Sequence, residues 1–324
     1  MKVNLTSAWD STAENYVRNI QGPPSSSAKV SIQMSVGYQL VATSVTSLFD
    51  KVMRKEQGAP AVLDVASAGG EPAITIAKAI PGATVYATDI APTMVDLIRR
   101  RAADSGVSNV TASIADGEAL TGFGDESVDA VTCTFGIIFM PNWRKAVQEF
   151  SRVLRSEGVV AVTVWEKDEG SIFERLAEAV DIVVPGGREG SIDPMKLGEA
   201  GGSAVAEEMK AAGLCNVSVS NFSVPMVLSP DARPRDVLEF FTRSSTMGVF
   251  FSSLEAKGHT NVRQEVSDTF ESRMDQDWAG RRTPLGLPKQ ADRVDVGGND
   301  TAASQPSRVI SSRALVIVGR KRAA

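Results

Sequence analysis

Three acidic positions punctuate the first half of the chain at intervals that could build a binding site. Asp64 lies near the end of the apolar run 61–65, and the small residues Ala66, Ser67, Ala68, Gly69 and Gly70 follow, then Glu71 and Pro72. Small side chains at such a turn let backbone approach a ligand closely, and proline is tolerated in the first turn of the helix that follows. Twenty-five residues after Asp64, Asp89 closes the run 84–88. A carboxylate there can accept both hydroxyls of a ribose. Asp116-Gly117-Glu118 follows a third run, where a carboxylate can take an exocyclic amine.

A nicotinamide dinucleotide would require G-x-G-x-x-G with an acid about 20 residues further on. The acid is present, but 66–71 lacks the first two glycines and puts Glu71 where the third belongs. A carboxylate there disfavours a pyrophosphate at the helix N-terminus. A ligand without phosphate fits better, which leaves a nicotinamide-dependent oxidoreductase as the lesser alternative.

Other chemistries are limited by composition. The cysteines Cys133 and Cys215 give neither a disulfide framework nor zinc spacing. The lone histidine, His259, excludes sites built on two histidine ligands and disfavours a Ser-His-Asp hydrolase, so no metal is expected. His259, in Gly258-His259-Thr260, is read chiefly as a helix-cap or solvated residue and secondarily as a candidate catalytic base. Cys133 is read mainly as a small buried hydrophobe. The net charge of −5 offers no general attraction to nucleic acid. Residues 281–324 carry nine basic against three acidic residues, which is read as a solvated tail. No apolar stretch approaches a membrane span and the start has no apolar leader core, so cytoplasm is the expected compartment, with no membrane insertion.

The elements that must position these residues follow from periodicity. The chain has 324 residues, of which 43% are hydrophobic and 23% charged, ordinary globular usage. Residues 59–166 alternate strands (61–65, 84–88, 110–114, 128–134, 159–165) with helices (73–79, 92–104, 143–154), the pattern of βαβ units and a parallel sheet. Residues 1–58 read as helical, with Trp9, Tyr16 and Ile20 at helix-compatible spacing, a break at 22–27 and an amphipathic run over 38–56. Residues 167–324 are less regular. Helices are expected at 173–180, 204–212, 234–243 and 261–274, a strand at 217–224, a long loop over 280–312 and a last strand at 314–318.

In this order the strand with Asp64, the small-residue loop, Asp89, Asp116-Gly117-Glu118-Ala119-Leu120 and the segment 127–136 resemble the class I S-adenosylmethionine-dependent methyltransferases. Within them the chain is most similar to the ubiquinone/menaquinone-biosynthesis-type (methyltransferase type 11-like) small-molecule enzymes. The likeness runs on through Pro141-Asn142-Trp143, Glu149, Arg152-Val153-Leu154, Gly158 and the strand ending at Trp165. It implies an α/β, Rossmann-like, doubly wound, seven-stranded and mainly parallel sheet with an antiparallel last strand. It also implies methyl transfer from S-adenosylmethionine to a small, apolar or aromatic acceptor, with the oligomeric state left open.

Residue by residue, the resemblance places 66–70 against the methionine part of the cofactor and Asp64 near its amino group. Asp89 would bind the ribose, Ile90 and Met94 would flank the adenine, and Asp116 and Gly117 would hold its edge. Cys133, Thr134 and Phe135 would line the crevice where the methyl group is presented. Trp9 and Tyr16 would cover the substrate from a helical N-terminal lid (1–58) above a cofactor-binding core (59–166). The remainder (167–324) would complete the sheet and add a helical, substrate-covering insertion. The family's D-x-G-x-G-x-G loop reads Asp64-x-Ala66-x-Ala68-x-Gly70 here. Two added methyl groups leave a non-catalytic binding or scaffold module as the alternative, and Ala68→Gly is expected to tighten binding while slightly destabilising the protein.

Overall fold

The computed structural model describes residues 5–21, 28–52, 59–167, 171–189, 193, 195–244, 247–280 and 308–323. The N-terminal part forms α1 (Leu5–Tyr16), one π-helical turn (Val17–Gln21), the short strand β1 (Val30–Ile32) and α2 (Ser35–Val52). The break at 22–27 lies outside the described residues.

Then come β2 (Ala61–Val65), α3 (Ala73–Ala79), β3 (Thr84–Asp89), α4 (Pro92–Asp104), β4 (Val110–Ile114) and β5 (Val128–Thr134), followed by α5 (Trp143–Val153) and β6 (Leu154–Trp165). These five strands pair in parallel in the spatial order β6-β5-β2-β3-β4. Every residue of β2 is buried, as a strand covered on both faces requires. Proline opens α4, where its fixed φ suits a first turn. Asn142 caps α5, its side-chain oxygen accepting from the Lys145 N–H.

The remaining elements are α6 (Ile172–Val183), α7 (Ser203–Ala211), β7 (Leu214–Leu228), α8 (Pro234–Ser244), α9 (Met247–Ala256), α10 (Val262–Gly280) and β8 (Arg308–Lys321). As expected, the last strand is antiparallel, running between β6 and β7. It starts earlier than 314, and residues 281–307 of the expected loop lie outside the described ones.

The expected strand count needs correction. Among the described residues the sheet has eight strands, in the order β1-β7-β8-β6-β5-β2-β3-β4. The addition is β1, between the expected break at 22–27 and the amphipathic run over 38–56, which pairs antiparallel with the end of β7 (Val30 opposite Leu228). Three residues are too few to show an alternating pattern. β6 likewise starts at Leu154, where the expected helix ended: Leu154 pairs with Val128, and an irregularity in the register then brings Val159 opposite Ala130.

From β2 the chain steps outward to β3 and β4, then returns to place β5 on the opposite side of β2. Ligands of open α/β sheets bind outside the carboxyl ends of the strands at such a reversal.

Candidate active site

A cavity of about 290 Å³ opens at that point. Its floor comes from the carboxyl ends of four strands: Ala66 and Ala68 after β2, Asp89 and Ile90 at β3, Ala115 to Glu118 after β4, and Thr134 to Gly136 at β5. Thr6, Trp9 and Tyr16 of α1, Met94 of α4 and the turn residues Phe139, Met140 and Pro141 complete the wall. Trp9 meets Tyr16 edge-on at 5.3 Å and Phe139 at 5.0 Å between ring centroids, a geometry favoured by ring quadrupoles.

Asp89 is 6% exposed. Its Oδ2 accepts from the Ala68 N–H (2.9 Å) and its Oδ1 from the Ala91 N–H (3.0 Å). These bonds fix the carboxylate and tie the β2 loop to the end of β3, while each oxygen keeps a further lone pair. Burial pushes the Asp89 carboxyl up to about 6, the backbone donors at Ala91, Ala68 and Ile90 hold it lower, and the charge of Asp10 adds to the rise. Burial and, secondarily, the negative charge of Asp89 hold the Tyr16 phenol well above its usual range.

Asp64 lies behind the wall and not on it. It is fully buried, with Ser67 Oγ donating to one carboxylate oxygen and Thr132 Oγ1 to the other at 2.6 Å. Burial pushes its carboxyl up to about 7. Ser67, Gly69, Gly70 and Cys133 also stand off the cavity surface. Burial, reinforced by Asp64, keeps the Cys133 thiol protonated. His259 sits exposed in the turn between α9 and α10 and does not line the cavity.

The structure therefore brings together Trp9, Tyr16, Ala66, Ala68, Asp89, Ile90, Met94, Asp116, Gly117, Thr134 and Phe135. The sequence reading missed Phe139 and Met140. They lie in and just after a 3-10 turn (Ile137–Phe139) that leaves the end of β5, and the only local signal is the apolar run after Gly136. A Cβ at Gly117 would press on the flexible end of Met140 and stand 3.0 Å from Val65 Cγ1.

Residues 62–158 match a family described as a methyltransferase domain. Over this segment the chain is similar to methyltransferase domains. An uncharacterised protein of Mycobacterium tuberculosis is 36% identical over 104 residues, 32% of this chain and 36% of that protein. The demethylmenaquinone methyltransferase of Thermus thermophilus is 36% identical over 107 residues, 33% of this chain and 48% of that enzyme. The chain thus spans between about a third and half of the length of the curated relatives it matches. The [4+2]-cyclase SpnF superposes with a TM-score of 0.53 at 14% identity, covering 100% of this chain and 97% of its own, a likeness of fold. No helix among the described residues is long and apolar enough to cross a membrane.

The resemblance read from the sequence implies S-adenosylmethionine as cofactor, and the residues present suit it. Thr134 Oγ1 is buried at the cavity wall with no hydrogen-bond partner among the described residues, so a polar ligand atom would satisfy it. Among the described residues the wall carries the carboxylates of Asp89, Asp116 and Glu118 and no lysine or arginine. That polarity suits a cationic sulfonium and opposes a pyrophosphate.

Proposed function

We propose that the chain transfers a methyl group from S-adenosylmethionine to a small apolar or aromatic acceptor. The observation that carries this reading is the meeting, in one cavity at the sheet reversal, of the fixed Asp89 carboxylate with the rings of Trp9, Tyr16, Phe135 and Phe139. The carboxylate suits the hydroxyls of a ribose, and the rings suit a flat or apolar partner.

In this reading Asp89 accepts from the ribose hydroxyls, Ile90 and Met94 pack against the adenine, and Asp116 and Gly117 meet its edge. The backbone at Ala66 and Ala68 faces the methionine part, and Thr134 and Phe135 wall the transfer end. The cofactor supplies a methyl group already activated on a sulfonium. What remains for the protein is to hold the acceptor in line, which can be worth effective molarities on the order of 10⁵–10⁸ M. Trp9 and Tyr16 help by shielding the acceptor side from water. Tyr16, held protonated by burial and by Asp89, serves as a hydrogen-bond donor and not as a base. The position of His259 outside the cavity favours acceptors whose nucleophile needs little deprotonation by the protein.

Calorimetric titration with S-adenosylmethionine tests the cofactor half of this reading, and transfer of labelled methyl to a panel of flat apolar acceptors tests the other half. Micromolar binding that Asp89→Ala weakens by about 1.5–3 kcal/mol is expected, the worth of hydrogen bonds to a charged acceptor. Absence of binding to the wild-type chain, or preference for a nicotinamide dinucleotide, would overturn it.

A further inference from the structure

The loop that faces the cavity is gripped from behind. Gln21, the last residue of the π-helical turn after α1, accepts with Oε1 from the Gly69 N–H at 2.7 Å. Its Nε2 donates to the Ser67 carbonyl at 3.3 Å and, at 3.5 Å, to that of Glu71. Arg101, on the last turn of α4, donates from Nη1 to the Gly69 carbonyl at 2.6 Å and to Gln21 Oε1 at 3.1 Å. Its Nη2 donates to the Gln21 carbonyl at 3.1 Å and lies 4.0 Å from Glu71. Tyr38, buried on α2, shares a hydrogen bond with the same Gln21 side chain.

Gly69 is small because of this grip. A Cβ there would stand 2.5 Å from Val17 Cγ2, 2.7 Å from Gln21 Oε1 and 2.8 Å from Arg101 Nη1. On the other side of the same loop, Ala66 and Ala68 hold φ of 56° and 50° and line the cavity. Non-glycine residues keep such conformations only where their surroundings over-determine them. The Gln21 and Arg101 contacts are that determination from one side, and the Ala68–Asp89 bond is the determination from the other.

We propose that Gln21 and Arg101 are positioning residues for the cofactor loop, and that through them docking of the N-terminal helix and shaping of the loop form a single event. A ligand in the cavity touches both partners of that event, the loop at Ala66 and Ala68 and the helix at Trp9 and Tyr16. It therefore stabilises the clasp, and the clasp presents the loop ready formed. Part of the affinity comes from ordering that binding no longer has to supply. The inference rests on the proposed cofactor, but the clasp itself can be read without it.

The test compares Gln21→Ala, Gln21→Glu and Arg101→Lys with Glu14→Ala, which removes only an exposed ion pair to Arg100 on the same helix interface. S-adenosylhomocysteine is titrated calorimetrically, and amide hydrogen exchange is followed at 67–71 in the ligand-free chains. Gln21→Ala should weaken binding about tenfold or more, the loss of one or two hydrogen bonds of preorganisation, and speed loop exchange by a similar factor. Gln21→Glu keeps the acceptor for Gly69 and Arg101 but loses the donors, so it should fall between, and it also serves if the alanine variant does not fold. Glu14→Ala should match the wild type in both readouts. Unchanged exchange and affinity in the Gln21 and Arg101 variants would overturn the proposal. If the wild type binds neither S-adenosylhomocysteine nor S-adenosylmethionine, the proposed function fails, and the loop exchange alone then decides for or against the clasp.

Discussion

The methyl group of Ala66 occupies the space that a side chain at Gly136 would need: a Cβ at 136 would run into Ala66 Cβ and stand 3.1 Å from Cys133 Sγ. Gly136 has an ordinary helical φ of −75°, so space and not conformation is the reason for glycine there. The two strand ends that flank the sheet reversal are thus fitted to each other one methyl group deep.

Gly136→Ala should overpack this contact and destabilise the protein by about 1–3 kcal/mol. Ala66→Gly in the same chain should restore much of that loss. A double-mutant cycle by denaturant unfolding measures the coupling, and strictly additive single effects would show that the two positions do not compete for the space.

Ala68→Gly should leave stability within about 1 kcal/mol of the wild type or raise it slightly. At a φ of 50° alanine carries roughly 1–2 kcal/mol of left-handed strain, which outweighs the roughly 0.5–1 kcal/mol that glycine costs through backbone entropy. Sequence alone suggests the opposite sign, because it does not reveal the φ. Thermal unfolding separates the two expectations.

Cofactor affinity should fall as pH drops below about 6. Burial raises the Asp89 carboxyl to about 6, and ribose hydroxyls donating to it favour its ionised form, so binding releases a proton near that pH. Below it, affinity should decline by at most about tenfold per pH unit. Asp89→Asn should bind more weakly and lose this slope, a comparison that calorimetry in buffers of different pH makes directly.

Asp64 acts on stability instead. Its folded-state carboxyl, raised by burial to about 7, lies above the unfolded value of 3.8. Its contribution is therefore fully present below about pH 4 and lost as pH rises through about 7, with a slope of up to about 1.4 kcal/mol per unit. Asp64→Asn keeps the shape, and the Ser67 and Thr132 hydroxyls can turn to accept. Denaturant unfolding of the ligand-free chain between pH 5 and 8 should show a flatter profile in that variant than in the wild type.

Trp9→Ala should remove two edge-on ring contacts, each worth about 0.5–1.5 kcal/mol beyond area burial. Because Trp9 shares the cavity wall with Asp89, cofactor affinity should drop together with stability. Retention of full affinity would confine Trp9 to packing or to the acceptor side.

Much of the parallel sheet and the position of Asp89 were legible because they follow local rules. Continuous β-branched runs make buried strands, and an acid closing such a run lies at the ligand end. What stayed hidden depends on distance or on backbone angles. Gln21 and Arg101 meet across 80 residues, and neither stands in a pattern that marks it. β1 is three residues long and exists because β7 offers it an edge. The resemblance put Asp64 near the cofactor's amino group, and its carboxylate here is held by the hydroxyls of Ser67 and Thr132, partners that no local pattern marks.

The residue just before α4, Ala91, offers the helix no side-chain cap. The first turn is served from elsewhere, by Asp10 Oδ1 accepting from the Thr93 N–H at 3.0 Å across 83 residues of chain. The segment that carries the methyltransferase signature is consequently not a self-contained cassette. A chimera that transplants 62–158 into a related host would import a helix whose opening amides look to a foreign N-terminus for their carboxylate, so the graft must carry residues 5–21 with it.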